Sequence, residues 1–269
     1  MLKTMQKARR SVTRALTPSV VLERGELEGR ITAGARLGYL SLNGVNAENI
    51  PPGSFDRSLT RVELISVKNL RAELLAGWFQ IPALCASLKK LVLNYCQLED
   101  QQMLSLRGLR NLTHLELRGN RLTQLPLLDL ATGLKTLDVS DNAIRSLVLG
   151  SPLELETLNI TGNRIRELDL RALAMCEVVR VSGNDVCTIN VDSGSTSCIQ
   201  VLDVRNNPNL AKLPDGFFRD LGSLVQLEMS GTALVEKDLR HLPEYEAFKL
   251  REETRRRKTH DFVREYNLQ

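Results

Sequence analysis

Apolar residues return along this chain in one eleven-position phrase, Leu-x-x-Leu-x-Leu-x-x-Asn-x-Leu. The cleanest copies run Leu112 to Leu122 and Leu134 to Ile144. Taking the first apolar position of each copy, the starts fall at Leu37, Leu59, Leu88, Leu112, Leu134, Leu155, Cys176, Ile199 and Leu224, spaced by 22, 29, 24, 22, 21, 21, 23 and 25 residues. A recurring period in this range means stacked supersecondary units, none of which can bury its apolar face alone. Within each phrase the Leu-x-Leu centre alternates with period two, which predicts a short strand with one buried face. The Asn that follows leaves the strand and turns inward, where its amide can pair backbone groups that a tight turn would strand. Asn120, Asn142, Asn163, Asn184 and Asn207 are therefore expected to stack as a structural ladder. Cys96 and Thr232 hold the same slot, and the first two copies place Val45 and Val67 there. Parallel strands stacked at about 4.8 Å would give a sheet on the order of 40 Å long.

Over residues 37–234 the phrase and its period resemble those of the leucine-rich repeat superfamily. The resemblance implies an α/β solenoid. Its expected form is a right-handed superhelix of about nine repeats, with a curved parallel sheet on the concave face and short helical or irregular connections on the convex side. It also implies a rigid platform that holds a protein partner on the strand side. Intracellular members of the superfamily include phosphatase regulators, ubiquitin-ligase receptors and ribonucleoprotein subunits. The 29-residue step around Gly77-Trp78-Phe79 departs from the regular period.

Composition narrows the class. The chain is 42% hydrophobic but 4% aromatic, which suits a core of Leu, Ile and Val. Its five cysteines, Cys85, Cys96, Cys176, Cys187 and Cys198, show no metal-like or disulfide-like spacing and read as reduced thiols inside cells. Apolar runs are far too short for a membrane span. An intracellular protein is expected, cytoplasmic or nuclear, with a mitochondrial address as the alternative. Net charge is +4 but unevenly spread: residues 1–22 carry five bases and no acid, residues 249–269 seven bases and four acids, leaving 24 bases and 28 acids between them.

These shifts divide the chain into a basic amphipathic segment (1–17), an N-terminal cap (18–36), the solenoid (37–242) and a charged C-terminal helix (243–269). The first segment has the features of a mitochondrial transit peptide and equally those of a short surface helix. In the last, Arg255, Arg256, Arg257 and Lys258 form a basic run open to two readings. It is a nucleic-acid or targeting patch, or it is a solvated face whose charges pair with Glu252 and Glu253 four residues earlier.

No catalytic constellation is recognisable, so no enzyme, cofactor or metal site is expected. The candidate site is the outward side of the strands. Its central column runs Ser41, Glu63, Val92, Glu116, Asp138, Asn159, Arg180, Asp203 and Glu228; the column before it includes Tyr39, Arg61, Lys90 and His114; the column after it includes Arg118 and Arg205, with Tyr95 nearby. Exposed strands are polar in any case, and neighbouring opposite charges neutralise one another. Acids concentrated in one column suggest more: a groove that selects a protein segment by charge. The expected role is a non-catalytic scaffold, adaptor or regulatory subunit. The alternative is a component of a ribonucleoprotein or organellar assembly that contacts nucleic acid through its basic ends. The oligomeric state is left open.

Overall fold

The computed structural model describes residues 19–22, 39–50, 59–103, 106, 108–125, 133–148, 154–191 and 197–266, with the backbone alone at 19–22, at Tyr39 and beyond Lys258. The basic segment 1–17 lies outside the described residues, as do most of the cap and residues 192–196.

A strand appears in each of the nine phrases, and three further strands lie outside them. In chain order they are β1 (Ser19–Leu22), β2 (Tyr39–Asn43), β3 (Arg61–Ile65), β4 (Lys90–Asn94), β5 (His114–Glu116), β6 (Thr136–Asp138), β7 (Thr157–Asn159), β8 (Glu167–Asp169), β9 (Val178–Arg180), β10 (Thr188–Asn190), β11 (Val201–Asp203) and β12 (Gln226–Glu228). Ten of them form one sheet in the order β1-β2-β3-β4-β5-β6-β7-β9-β11-β12, with parallel pairing throughout. β8 and β10 make a separate two-stranded parallel ladder one phrase apart. The molecule is an α/β solenoid with a curved parallel sheet. Leu40, Leu64, Leu91, Leu115, Leu137, Leu158, Val179 and Leu202 point inward with no exposed surface, so each coil's leucines complete the core of its neighbour.

The 29-residue step is longer because two helices fit inside it, α1 (Ala72–Phe79) and α2 (Pro82–Ser87). Pro82 opens α2, where its missing N–H costs nothing, and Leu75, Phe79 and Leu84 bury the pair against the strands. Short helices α3 (Asp100–Met103), α4 (Phe217–Asp220) and α5 (Glu236–Leu239) turn other coils. α6 (Tyr245–Tyr266) closes the C-terminal end of the stack. Tyr245 and Phe248 on its first turns pack on Phe218 of α4, the two phenylalanine rings stacked at 4.9 Å.

The five ladder asparagines repeat one bonding scheme. Asn163 Nδ2 donates to the Ile160 carbonyl of its own coil (2.9 Å) and to the Val139 carbonyl of the coil before (3.0 Å). Its Oδ1 accepts the Ile144 N–H (3.0 Å). Val139 O also accepts Asn142 Nδ2, so a single carbonyl joins two rungs. The pattern continues without a gap through Asn120, Asn142, Asn184 and Asn207. Cys96 keeps half of it: its thiol donates across to the Leu64 carbonyl (3.2 Å), the inter-coil bond that Asn120 makes to Leu93. Where Val45 and Val67 stand, backbone replaces the amide. Ala47 N–H donates to Lys68 O and Lys68 N–H to Val45 O, which extends the ladder as a parallel bridge.

Asn163→Ala leaves the Ile144 N–H buried without its acceptor and removes one of the two amide donors from each of the Val139 and Ile160 carbonyls, so unfolding free energy should fall by about 3 kcal/mol. Urea unfolding followed by circular dichroism measures the loss, and a value close to zero would show that water replaces the amide.

Candidate functional site

Strand register puts the central column in line. Glu63 pairs with Val92, Val92 with Glu116, Glu116 with Asp138, Asp138 with Asn159, Asn159 with Arg180, Arg180 with Asp203 and Asp203 with Glu228. Arg61, Lys90 and His114 align in the preceding column, which begins at Tyr39, described there for its backbone alone. Most of the residues marked out by their spacing thus share one side of the sheet.

Each carboxylate in the central column is held from within the chain. Glu63 is bonded by Arg61 from its own strand. Glu116 takes Lys90 Nζ at 2.8 Å and Asn94 Nδ2 at 3.3 Å from the strand before. Asp138 accepts Asn159 Nδ2 (2.9 Å) and the Ser140 N–H (2.9 Å). Asp203 receives both ends of the Arg205 guanidinium, at 2.9 and 2.6 Å, and the Arg205 N–H at 3.1 Å. Gln226 Nε2 donates to Glu228 at 2.7 Å.

The concentration of acids has a local cause as well as a surface one. Where a three-residue strand ends, the N–H two residues on needs an acceptor. Asp138, Asn159 and Asp203 supply it to Ser140, Thr161 and Arg205. Asp203 is consequently only 6% exposed. Burial alone would raise its carboxyl pKa; the Arg205 guanidinium and N–H, with the field of Arg180, more than offset this and hold it below the usual carboxylate value.

A second column decides the shape of the rim. The residue just before the ladder position is left-handed in every coil: Gly44, Ser66, Tyr95, Gly119, Asp141, Gly162, Gly183, Asn206 and Gly231, with φ between 53 and 74°. Only glycine adopts this conformation freely. Three of the side chains that stand there lean over the next coil. Tyr95 lies across Gly119, Asp141 across Gly162 and Asn206 across Gly231; a Cβ on Gly119 would sit 2.2 Å from the Tyr95 ring. Tyr95 is 45% exposed, with the Arg118 guanidinium 5.7 Å from its ring centre and Arg118 Nε bonded to Asp141 at 2.9 Å. Tyr95, Arg118 and Asp141 therefore run side by side along the edge of the sheet. Asp141 was not among the residues that the spacing marked out. The signal for it is in the sequence, as a non-glycine ahead of Asn142 where neighbouring coils carry glycine.

The basic run of α6 divides. Arg256 pairs with Glu252 (3.0 Å) and Arg257 with Glu253 (3.5 Å), the i,i+4 reading. Arg255 turns instead to Gln226 of β12. Burial pushes the Cys96 and Cys176 thiols up to about 11, so both stay protonated at neutral pH. Among the described residues no group of three or more His, Cys, Asp or Glu could hold a metal ion, and no helix is long and apolar enough to cross a membrane.

The model of the Leucine Rich Repeat family matches residues 111–132, which span β5 and its ladder asparagine. A solved octameric complex of latrophilin 3, Unc5D and FLRT2, with FLRT2 as its leucine-rich repeat component, holds a similar chain. The two are 19% identical and superpose with a TM-score of 0.51 over 77% of this chain and 72% of that one. The functional domain of InlJ from Listeria monocytogenes is 17% identical over 72% of this chain and 49% of its own, with a TM-score of 0.46. No curated protein matches the sequence. Repeats of this family generally mediate protein–protein interaction.

Gly119→Ala should destabilise the fold by about 3 kcal/mol, combining a left-handed alanine with the clash on Tyr95. Tyr95→Gly in the same chain should restore about half of that, which a double-mutant cycle in urea would measure. Additive single effects would show that the ring is not what fills the space above Gly119. For Asp203, a depressed folded-state pKa means that its stabilisation is present above the unfolded carboxylate value of about 4 and is lost as pH falls through the lower folded value. The gap in urea midpoint between wild type and Asp203→Asn should be open at pH 7 and close on acidification below about pH 4. A gap unchanged by acid would assign the effect to shape instead of charge.

Proposed function

We propose that this chain, a leucine-rich repeat protein, is a non-catalytic scaffold or regulatory subunit that holds a protein partner against the outer side of its ten-stranded sheet. One observation carries the reading. Five carboxylates stand in a single register column, and each is already fixed by an internal donor. A surface ordered in advance loses little side-chain freedom when a partner docks, and its charge pattern serves discrimination and encounter rate more than raw affinity.

The rim supplies what the columns lack. Tyr95 is a large exposed side chain in a left-handed conformation that costs about 1–2 kcal/mol relative to a relaxed one. An aromatic ring flanked by an arginine is the type of group that dominates protein interfaces. Contact centred on Tyr95, Arg118 and Asp141, and spreading over Glu116 and Asp138, uses both features. Arg61, Glu63, Lys90 and His114 extend it toward the N-terminal coils, and Asn159, Arg180, Asp203, Arg205 and Glu228 toward the C-terminal ones. Five cysteines carried as free thiols suit a reducing intracellular compartment.

Affinity purification of the tagged full-length chain tests this. Glu116→Lys with Asp138→Lys should reduce recovery of the partner about tenfold, and Tyr95→Gly should do the same, while Lys212→Glu outside the columns leaves it intact. Circular dichroism confirms that each variant is folded. Retention of the partner by folded Glu116→Lys/Asp138→Lys protein would move binding to another surface.

A further inference from the structure

The C-terminal helix does more than close the stack. Between α6 and the residues that lead into β11 and β12 lies an open-sided cavity of about 540 Å³. Gln200 and Val225 form its wall on the solenoid side; Leu250, Arg251, Thr254, Arg255 and Lys258 form the helix side. Positions 251, 255 and 258 are spaced four and three apart, so three cations share one helix face. Among the described residues the lining contains no carboxylate. Glu252 is occupied by Lys249 and Arg256, and Glu253 by Arg257, away from the cavity wall.

The two arginines are braced by the solenoid. Arg251 Nε donates to the Leu224 carbonyl at 3.0 Å, and Arg255 Nη1 to Gln226 Oε1. Arg251 Nη2 is buried and has no hydrogen-bond partner. A buried guanidinium nitrogen without an acceptor is costly, and an oxyanion in the cavity that Arg251 lines would offset that cost through the charge of the group. Among the described residues Lys258 has no ion-pair partner. Leu250, 67% exposed, and Val225 add an apolar floor beside the charge.

We propose that this cavity binds an acidic segment of a partner protein, with a carboxylate on Arg251, Arg255 and Lys258 and an adjacent apolar side chain on Leu250 and Val225. Several observations favour a protein segment over nucleic acid. Among the described residues no aromatic ring lines the cavity to stack a base. The three cations line a single cavity on one helix face. The body of the chain between its basic ends holds 28 acids against 24 bases and repels a long polyanion. The cavity lies beyond the C-terminal end of the columns, touching them through the Gln226 amide that joins Arg255 to Glu228, and the proposal does not rest on a partner bound to the sheet.

Fluorescence anisotropy with the full-length chain tests it, using a labelled short peptide of alternating leucine and glutamate, its glutamine counterpart, and an oligothymidine of matching charge. The glutamate peptide should bind about tenfold more tightly than the glutamine peptide. Lys258→Glu should weaken it by a similar factor. Thr254→Trp, at an exposed helix position, keeps every charge but fills the cavity, and should also abolish the preference. Glu116→Lys with Asp138→Lys should leave the peptide affinity unchanged. Absence of peptide binding, equal affinity for both peptides, indifference to Lys258→Glu and Thr254→Trp, or loss with the sheet variant would each overturn the proposal. Tighter binding of the oligothymidine, lost in the cavity variants, would overturn it in favour of nucleic acid.

Discussion

Backbone satisfaction at one turn governs this molecule. A coil of about twenty residues has to reverse direction beside a dry core, and the N–H and C=O groups at that corner cannot reach water. The asparagine amide meets the need because it donates twice and accepts at the same place. Leu117 O, Val139 O, Ile160 O and Val181 O each accept from two successive asparagines, so the rungs form one continuous ladder. That ladder sets the height of every coil, and coil height in turn sets strand register.

Register then decides what the surface can present. With strands only three to five residues long, a shift of one position would bring outward polar residues into the core along the sheet. The ladder excludes that shift, so Glu116, Asp138 and Asp203 occupy one column while Leu115, Leu137 and Leu202 fill the core behind them. The same corner forces a left-handed residue one position before each rung. Most coils meet this with glycine. Tyr95 and Asp141 meet it with side chains, and the glycines of the following coils leave the room these side chains occupy. The rim of the candidate interface is thus a by-product of the turn that stabilises the core.

At the C-terminal end the constraint changes. Among the described residues β12 is the last strand of the sheet, and α6 covers that end through Tyr245 and Phe248 packed on Phe218. An α-helix laid against the end of a solenoid cannot match the spacing of a strand, and the mismatch leaves the cavity beside Arg251. The cap and the basic cavity therefore share a single structural origin.

Much of this was legible along the chain. Alternating leucines with a regular period are enough to specify strands, parallel stacking and the inward asparagines, because burial and backbone pairing leave no other use for those residues. The outward columns follow from the same count. Three things required the tertiary structure. That α1 and α2 fill the long step follows from packing of Leu75, Phe79 and Leu84, which periodicity does not encode. That Asp138 and Asp203 terminate strands, and so are already engaged, depends on hydrogen bonds formed only once register exists. That Arg256 and Arg257 pair along the helix while Arg251, Arg255 and Lys258 meet at a cavity depends on which face α6 turns to β12. Short-range pattern carries the fold because each coil contacts its neighbours alone; the state of an individual charge depends on partners from other coils, and only the assembled stack brings those together.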